Sequence, residues 1–297
     1  MAMKKDNIKV FVLNAFAKTK TGGNPAGVVL DADTMSIPFK QKLAAKVGFS
    51  ETAFVQRSDV ADFKISFFTP TEEVALCGHA TIAAFSLLNE LGRIPAGCFR
   101  QETKAGILGV EVQKDGTVFM EQTLPSFKKS VDRSEVAQSL GIRVDSLVPE
   151  LPVQIVSTGL RDIMVPVATL HELFNLKPDF EKIAEISKKH RTVGFHVFTQ
   201  ETKFKSAAHC RNFAPLYGIP EEAATGTSSG ALACYLFKHG KIAHGQTQRL
   251  VFEQGYCLRR PSEIIVRLDT EKKEIRRVQV GGKATAAKEK IMKEDGL

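Results

Sequence analysis

Two turns of this sequence gather the groups that could do chemistry. Cys77-Gly78-His79 sets a thiol, a residue without a side chain and an imidazole side by side. Thr225-Gly226-Thr227 sets two hydroxyls around a second glycine. Each turn leads into an apolar segment, so each stands at the start of a candidate helix. A helix start presents unpaired backbone N–H groups and the positive end of the helix dipole. Such a place binds carboxylates and other anions, and Gly78 and Gly226 let a ligand approach the backbone. A competing use exists for Thr225 or Thr227, which can cap their own helix. A thiol at a helix start is acidified, which would make Cys77 reactive, but the preferred reading of Cys77 is a small buried thiol beside the cleft. Two residues apart, Cys77 and His79 are expected to point away from one another, which argues against a Cys-His nucleophilic pair.

The two turns repeat one another at an offset of 225 minus 77, or 148 residues. The first runs on to Leu88, Gly92, Arg93 and Ile94, the second to Leu236, Gly240, Lys241 and Ile242. Upstream, Phe68-Thr69-Pro70 answers Phe213-Ala214-Pro215. Self-similarity at half the chain length points to a duplicated unit. Residues 80–91 carry apolar side chains around most of the helix, and 230–237 are similar. A helix apolar all round is a buried one, and a strongly curved sheet wrapped around it would bury it. Two such units are expected to bring their helix starts to a common cleft.

Short apolar runs between turn residues read as strands. They cover 8–13, 26–30, 52–55, 63–68, 107–112 and 118–121 in the first half. In the second they cover 153–157, 162–167, 192–199, 207–213, 249–253, 263–268 and 276–281. Helices are expected over 37–47, 80–91, 134–140, 170–175, 179–189 and 229–239. The segment 124–134, with Pro125, reads as a linker. The domains are therefore 1–123 and 124–282, with a tail, 283–297, packed on the first half and helical over 283–292.

With 297 residues, 43% hydrophobic and 25% charged, the chain has the makeup of a soluble globular protein of two ordinary domains. No apolar run reaches the ~18 residues of a membrane span. Residues 1–6 lead at once into a strand, so no signal peptide is expected. The five scattered cysteines point to reduced thiols and a cytoplasmic location. A net charge of +8 would suit nucleic acid, but acids interleave the bases, as in Glu271-Lys272-Lys273-Glu274, and no recognition motif accompanies them. No nucleic-acid or membrane partner is expected. Cys77, His79, His209 and Cys210 do not have common zinc spacing, and no strand–GxGxxG–helix or P-loop unit is present. Neither metal nor cofactor is expected.

Five motifs occur in order: Gly23-Asn24-Pro25-Ala26-Gly27-Val28, Ser50-Glu51-Thr52-Ala53-Phe54, Phe68-Thr69-Pro70, Leu76-Cys77-Gly78-His79-Ala80-Thr81 and Glu221-Glu222-Ala223-Ala224-Thr225-Gly226-Thr227. Together, over nearly the whole chain, they resemble the PhzF-like family, named for a phenazine-biosynthesis isomerase. The resemblance implies an α/β (α+β) diaminopimelate epimerase-like fold, two pseudo-symmetric domains, each a curved, mostly antiparallel sheet around a central helix. It implies that Glu51 is the acid/base that moves a proton, that His79 lies beside the substrate, and that Glu222 and Thr227 contact it. The family's second turn reads Glu-Asp-Pro-Ala-Thr-Gly-Ser, so Glu222, Ala223 and Thr227 are departures that bear on the substrate. Glu51, between Phe49 and Phe54, can have its protonation tuned by apolar neighbours. Epimerase relatives use two cysteines, one at each central helix; Cys77 holds the first position and Thr225 the second.

The reading is a cofactor-independent isomerase, a homodimer acting on a small carboxylated, cyclic or amino-acid-like substrate. Glu51, His79 and Glu222 are its catalytic candidates. Asn24, Cys77, Gly78, Thr225, Gly226 and Thr227 are its substrate-binding candidates. The alternatives are an amino-acid epimerase or racemase using Cys77, and a non-catalytic small-molecule-binding protein.

Overall fold

The computed structural model describes residues 7–293; residues 1–6 and 294–297, at the ends of the expected first domain and tail, lie outside the described residues. The chain forms two compact units, Met1–Met120 with Gly281–Leu297, and Glu121–Val280.

The first unit runs β1 (Asn7–Ala15), β2 (Asn24–Val29), α1 (Ile37–Val47), β3 (Thr52–Gln56), β4 (Phe63–Phe68), β5 (Glu73–Val74), α2 (Gly78–Glu90), β6 (Gly97–Thr103), β7 (Gly106–Val112) and β8 (Val118–Gln122). It is completed by the closing strand Lys288–Lys293. That strand pairs antiparallel with β1, and β1 antiparallel with β2. Next, β2 runs parallel to β3, β3 antiparallel to β4, and β4 parallel to β6. Antiparallel β6, β7 and β8 finish the series. α1 fills the β2–β3 crossover. Ser36 caps it by accepting the Phe39 N–H, and Gly48, at φ 77°, ends it. Helix α2 touches β1, β2, β3 and β7. Its Ala80, Ile82, Ala83, Ala84, Phe85 and Leu87 are wholly buried, which is why its apolar surface has no polar side.

The second unit repeats this order. It runs β9 (Ser126–Ser130), α3 (Arg133–Ser139), β10 (Gln154–Ser157), β11 (Arg161–Pro166), α4 (Leu170–Phe174), α5 (Phe180–His190), β12 (Gly194–Thr199), β13 (Ala208–Ala214), β14 (Ile219–Glu222), α6 (Gly226–Lys238), β15 (Leu250–Gln254), β16 (Ser262–Glu271) and β17 (Glu274–Gly282). Antiparallel β9–β10–β11, parallel β11–β12, antiparallel β12–β13, parallel β13–β15 and antiparallel β15–β16 match the first unit pair for pair. Helix α6 touches β10, β11 and β16, the counterparts of three of the strands around α2. The repeat reaches single hydrogen bonds. Thr81 Oγ1 donates to the Cys77 carbonyl at 2.8 Å, and Ser229 Oγ donates to the Thr225 carbonyl at 2.9 Å. On the other face of the second sheet, Val136, Ala137, Leu173, Ile183 and Ile186 of α3, α4 and α5 pack on Ile163, Val165, Phe195 and Val197.

Two expectations are corrected. The tail is a strand over Lys288–Lys293, not a helix over 283–292. β1 offers an open edge, Met292 is buried opposite Ile8, and Lys9 pairs with Glu289 at 3.1 Å. Those tertiary terms outweigh the helix propensity of an Ala/Lys/Glu-rich run. The linker 124–134 contains β9, whose hydrogen-bonding groups are taken by β10. Among the described residues, no helix is long and apolar enough to cross a membrane.

Candidate active site

The α2 start gathers Asn24, Glu51, Cys77 and His79. Glu51 stands one residue before β3, where the Gly27 N–H of β2 donates to its carbonyl at 3.2 Å. The two strands approach closely because residue 27 lacks a side chain; a Cβ there would lie 2.9 Å from Thr52 Oγ1. Glu51 Oε2 thereby comes within 3.2 Å of His79 Nε2, the Glu side chain being 17% exposed and the His 8%. This oxygen is buried and, among the described residues, accepts no well-aligned hydrogen bond, so its contact with the ring is chiefly electrostatic. His79 also lies 3.5 Å from Asn24 Nδ2 and 3.4 Å from Ser50 Oγ.

The expectation that Cys77 and His79 point apart fails. Cys77 Sγ is 3.4 Å from His79 Nδ1. Cys77 is the N-cap residue with extended backbone, φ −139° and ψ 118°, and its side chain makes no cap bond to the helix. The charges of the trio follow from their contacts. Burial pushes the Glu51 carboxyl up, but the charge of His79 first, with the polar groups of His79, Ser50 and Cys77 around it, outweighs burial and holds it below its ordinary value. Burial works against a charged His79, yet Cys77 and Glu51 raise it well above 6.5. Burial first and Glu51 second push the Cys77 thiol up. Glu51 and His79 thus favour one another's charged forms, while burial disfavours the Cys77 thiolate. One donor atom from each of Glu51, Cys77 and His79 lies within 4.8 Å of the others, a spacing open to a metal ion. Cys77 and His79 would ligate one only in their deprotonated forms.

At the α6 start, Thr225 is the N-cap residue, but among the described residues no side chain caps the helix; the same holds for α2. The capping alternative for Thr225 therefore fails. Thr225 Oγ1 instead donates to Glu222 Oε2 at 2.8 Å. Gly226 is buried and Thr227 half-buried; the Thr227 carbonyl accepts from Thr158 Oγ1 at 3.1 Å. Beneath the turn, Ser228 Oγ donates to Asp162 Oδ2 at 2.6 Å, and burial raises the Asp162 carboxyl to about 6. His209 is engaged elsewhere, its Nδ1 donating to Glu253 Oε2 at 2.7 Å.

Two residues that the sequence reading does not single out belong to these starts. Ser50 is in a quoted motif, but only the fold brings its hydroxyl to His79. Gln254 is wholly buried and bonds the 222–225 turn three times. Its one sequence signal is an amide at the end of an apolar strand, directly before Gly255.

Solved structures place the fold first. A hydroxyproline epimerase of Agrobacterium vitis, 13% identical, matches with TM-score 0.62 over 99% of this chain and 94% of that one. The fold is thus of the diaminopimelate epimerase-like type. A PhzF-family phenazine biosynthesis protein of Bacillus anthracis is nearer, 34% identical with TM-score 0.87 over 97% and 99% of the two chains.

The family model for phenazine biosynthesis-like protein, PhzC-PhzF, matches residues 13–290. The isomerase YfhB of Bacillus subtilis is 33% identical over 96% of this chain and 98% of its own. The trans-2,3-dihydro-3-hydroxyanthranilate isomerase of Pseudomonas chlororaphis is 29% identical over 91% and 94%. The chain belongs to the PhzF family and is an isomerase.

Proposed function

We propose that this isomerase moves a proton, and with it a double bond, on a small carboxylated substrate, cyclic or amino-acid-like, without a bound cofactor. One observation carries the reading: Glu51 Oε2 is buried, lacks a well-aligned donor among the described residues and is held charged by His79 at 3.2 Å. A carboxylate so placed can take a C–H proton if the carbanion is delocalised, and return it at another carbon. N–H groups at a helix start, those around Gly78 or those around Gly226, would hold the substrate carboxylate and the developing charge. His79, Glu222 and Thr227 would orient amino or hydroxyl groups, and Asn24 would steady the ring of His79. Thr225 cannot act as a base near neutral pH, so the chemistry runs through one base rather than a pair of thiols.

A second reading rests on Cys77, which touches His79 at 3.4 Å. In it the Cys77 thiolate takes the proton of an amino-acid Cα and solvent returns one to the opposite face, inverting the centre. The two separate in D2O with a panel of dihydro-hydroxyanthranilate, related cyclic amino acids, diaminopimelate and proline derivatives. The isomerase reading expects one compound to gain a deuteron as its double bond moves, with chelator present. Inversion at Cα that disappears in Cys77→Ser would overturn it in favour of the thiol. We further place the protein in the cytoplasm, where its five free cysteines would persist, as a homodimer; light scattering at a monomer mass would contradict the latter.

A further inference from the structure

Gln254 ends β15 with no solvent exposure. Its Oε1 accepts the Thr225 N–H at 3.1 Å, and its Nε2 donates to the Glu222 carbonyl at 2.9 Å and to Thr225 Oγ1 at 3.0 Å. These partners fix which end of the amide is oxygen, because a backbone N–H must face an acceptor and a carbonyl a donor. A hydroxyl has one proton. With a lone pair of Thr225 Oγ1 already taken by Gln254, that proton is directed to Glu222 Oε2, 2.8 Å away. The amide, the hydroxyl and the carboxylate thus form one directional chain.

The same chain explains an anomaly at α6. A Thr in the N-cap position ordinarily turns its oxygen to a first-turn N–H, yet Thr225 does not. Gln254 holds the hydroxyl away from the helix and toward Glu222. The next residue secures the approach. Gly255, at φ 81°, passes so near the turn that a Cβ would fall 2.5 Å from the Ala223 carbonyl oxygen. The strand end is therefore built against the turn at two consecutive residues.

We propose that Gln254 is a positioning residue that sets the Glu222 carboxylate through the Thr225 hydroxyl and keeps the α6 start uncapped for the substrate. The proposal rests on Glu222 orienting substrate, as read above. Without Gln254 the hydroxyl is released to cap α6, and Glu222 loses the bond from Thr225.

The test is Gln254→Met, which keeps side-chain length but not the hydrogen bonds. In its crystal structure Thr225 Oγ1 and Glu222 Oε2 should part beyond hydrogen-bond range, about 3.5 Å. With trans-2,3-dihydro-3-hydroxyanthranilate as the probe, kcat/KM should fall about 10- to 100-fold, as expected for a displaced orienting group. The Gln254→Met/Glu222→Gln double variant should lose no more than Glu222→Gln alone, since both act through one carboxylate. A purely structural role would make the losses multiply. Should Gln254→Met fail to fold, Thr225→Val and Thr225→Ser carry the test. The first should reproduce the loss and the second should restore activity. Retention of the Thr225–Glu222 bond in Gln254→Met, or multiplying losses, overturns the proposal. If the wild type does not turn over the probe, the crystal structure decides alone. A parted pair then upholds the positioning and shows only that this probe is not the substrate; an intact pair refutes the positioning itself.

Discussion

Glu253→Gln removes the charge from a buried carboxylate that four donors surround. Glu253 accepts from the N–H groups of Lys203 at 3.2 Å and Phe204 at 3.0 Å, from Ser206 Oγ at 2.6 Å and from His209 Nδ1 at 2.7 Å. Burial alone would raise its pKa; the bonds from His209, Ser206 and Lys203 outweigh burial and lower it from 4.5 to about 2. At about 1.4 kcal/mol per unit, with an allowance for residual screening, this is about 2–3 kcal/mol of stability. The folded value lies below the unfolded one, so the contribution is complete above about pH 4.5 and is lost as pH falls toward 2. An amide in its place keeps one acceptor and turns an NH2 on groups that donate.

The assay is urea unfolding followed by tyrosine fluorescence. The chain has no Trp, and its three tyrosines, Tyr217, Tyr235 and Tyr256, all lie in the second unit, so the signal reports that unit. Glu253→Gln should be about 2–3 kcal/mol less stable than wild type at pH 7, and the gap should shrink as both are taken toward pH 3. A gap below about 0.5 kcal/mol at pH 7 would refute the reasoning, as would a gap that stays constant with pH.

Asp162 tests the opposite sign. Its folded pKa is raised to about 6 by burial, so its penalty is absent below 3.8 and complete above about 6; Asp162→Asn should stabilise by about 1–3 kcal/mol at pH 8 and little at pH 4, and a less stable variant at pH 8 would contradict this. Gly27→Ala should cost about 1–3 kcal/mol by overpacking, since the new Cβ meets Thr52 at 2.9 Å and Val47 at 3.1 Å. Because Gly27 anchors the Glu51 carbonyl, its exchange activity should fall beyond what the unfolded fraction accounts for; a loss matched by that fraction would contradict this.

The repeat was legible because burial leaves a mark on sequence: a helix enclosed by a sheet, such as Ala80 to Leu88, can tolerate no polar side. The strand over 63–68 and the helix over 37–47 were legible for the same local reason. Residues 288–293 were not, because their conformation depends on an edge of β1 almost the whole chain away. The Cys77–His79 contact forms at an extended N-cap, which spacing does not disclose. Glu51 stood out through its motif; its proximity to His79 needed the close β2–β3 approach. Gln254 was silent because its role lies in bonds to a turn some thirty residues earlier.

The central claim is that Glu51 carries the proton. Its most direct test is solvent deuterium incorporation, by mass spectrometry, into whichever compound of the panel the wild type converts, compared among wild type, Glu51→Gln and Cys77→Ser. Glu51→Gln preserves shape and removes the base, so exchange should drop at least about 100-fold, while Cys77→Ser retains most of it. Exchange that survives in Glu51→Gln and vanishes in Cys77→Ser would contradict the account and assign the proton to the thiol.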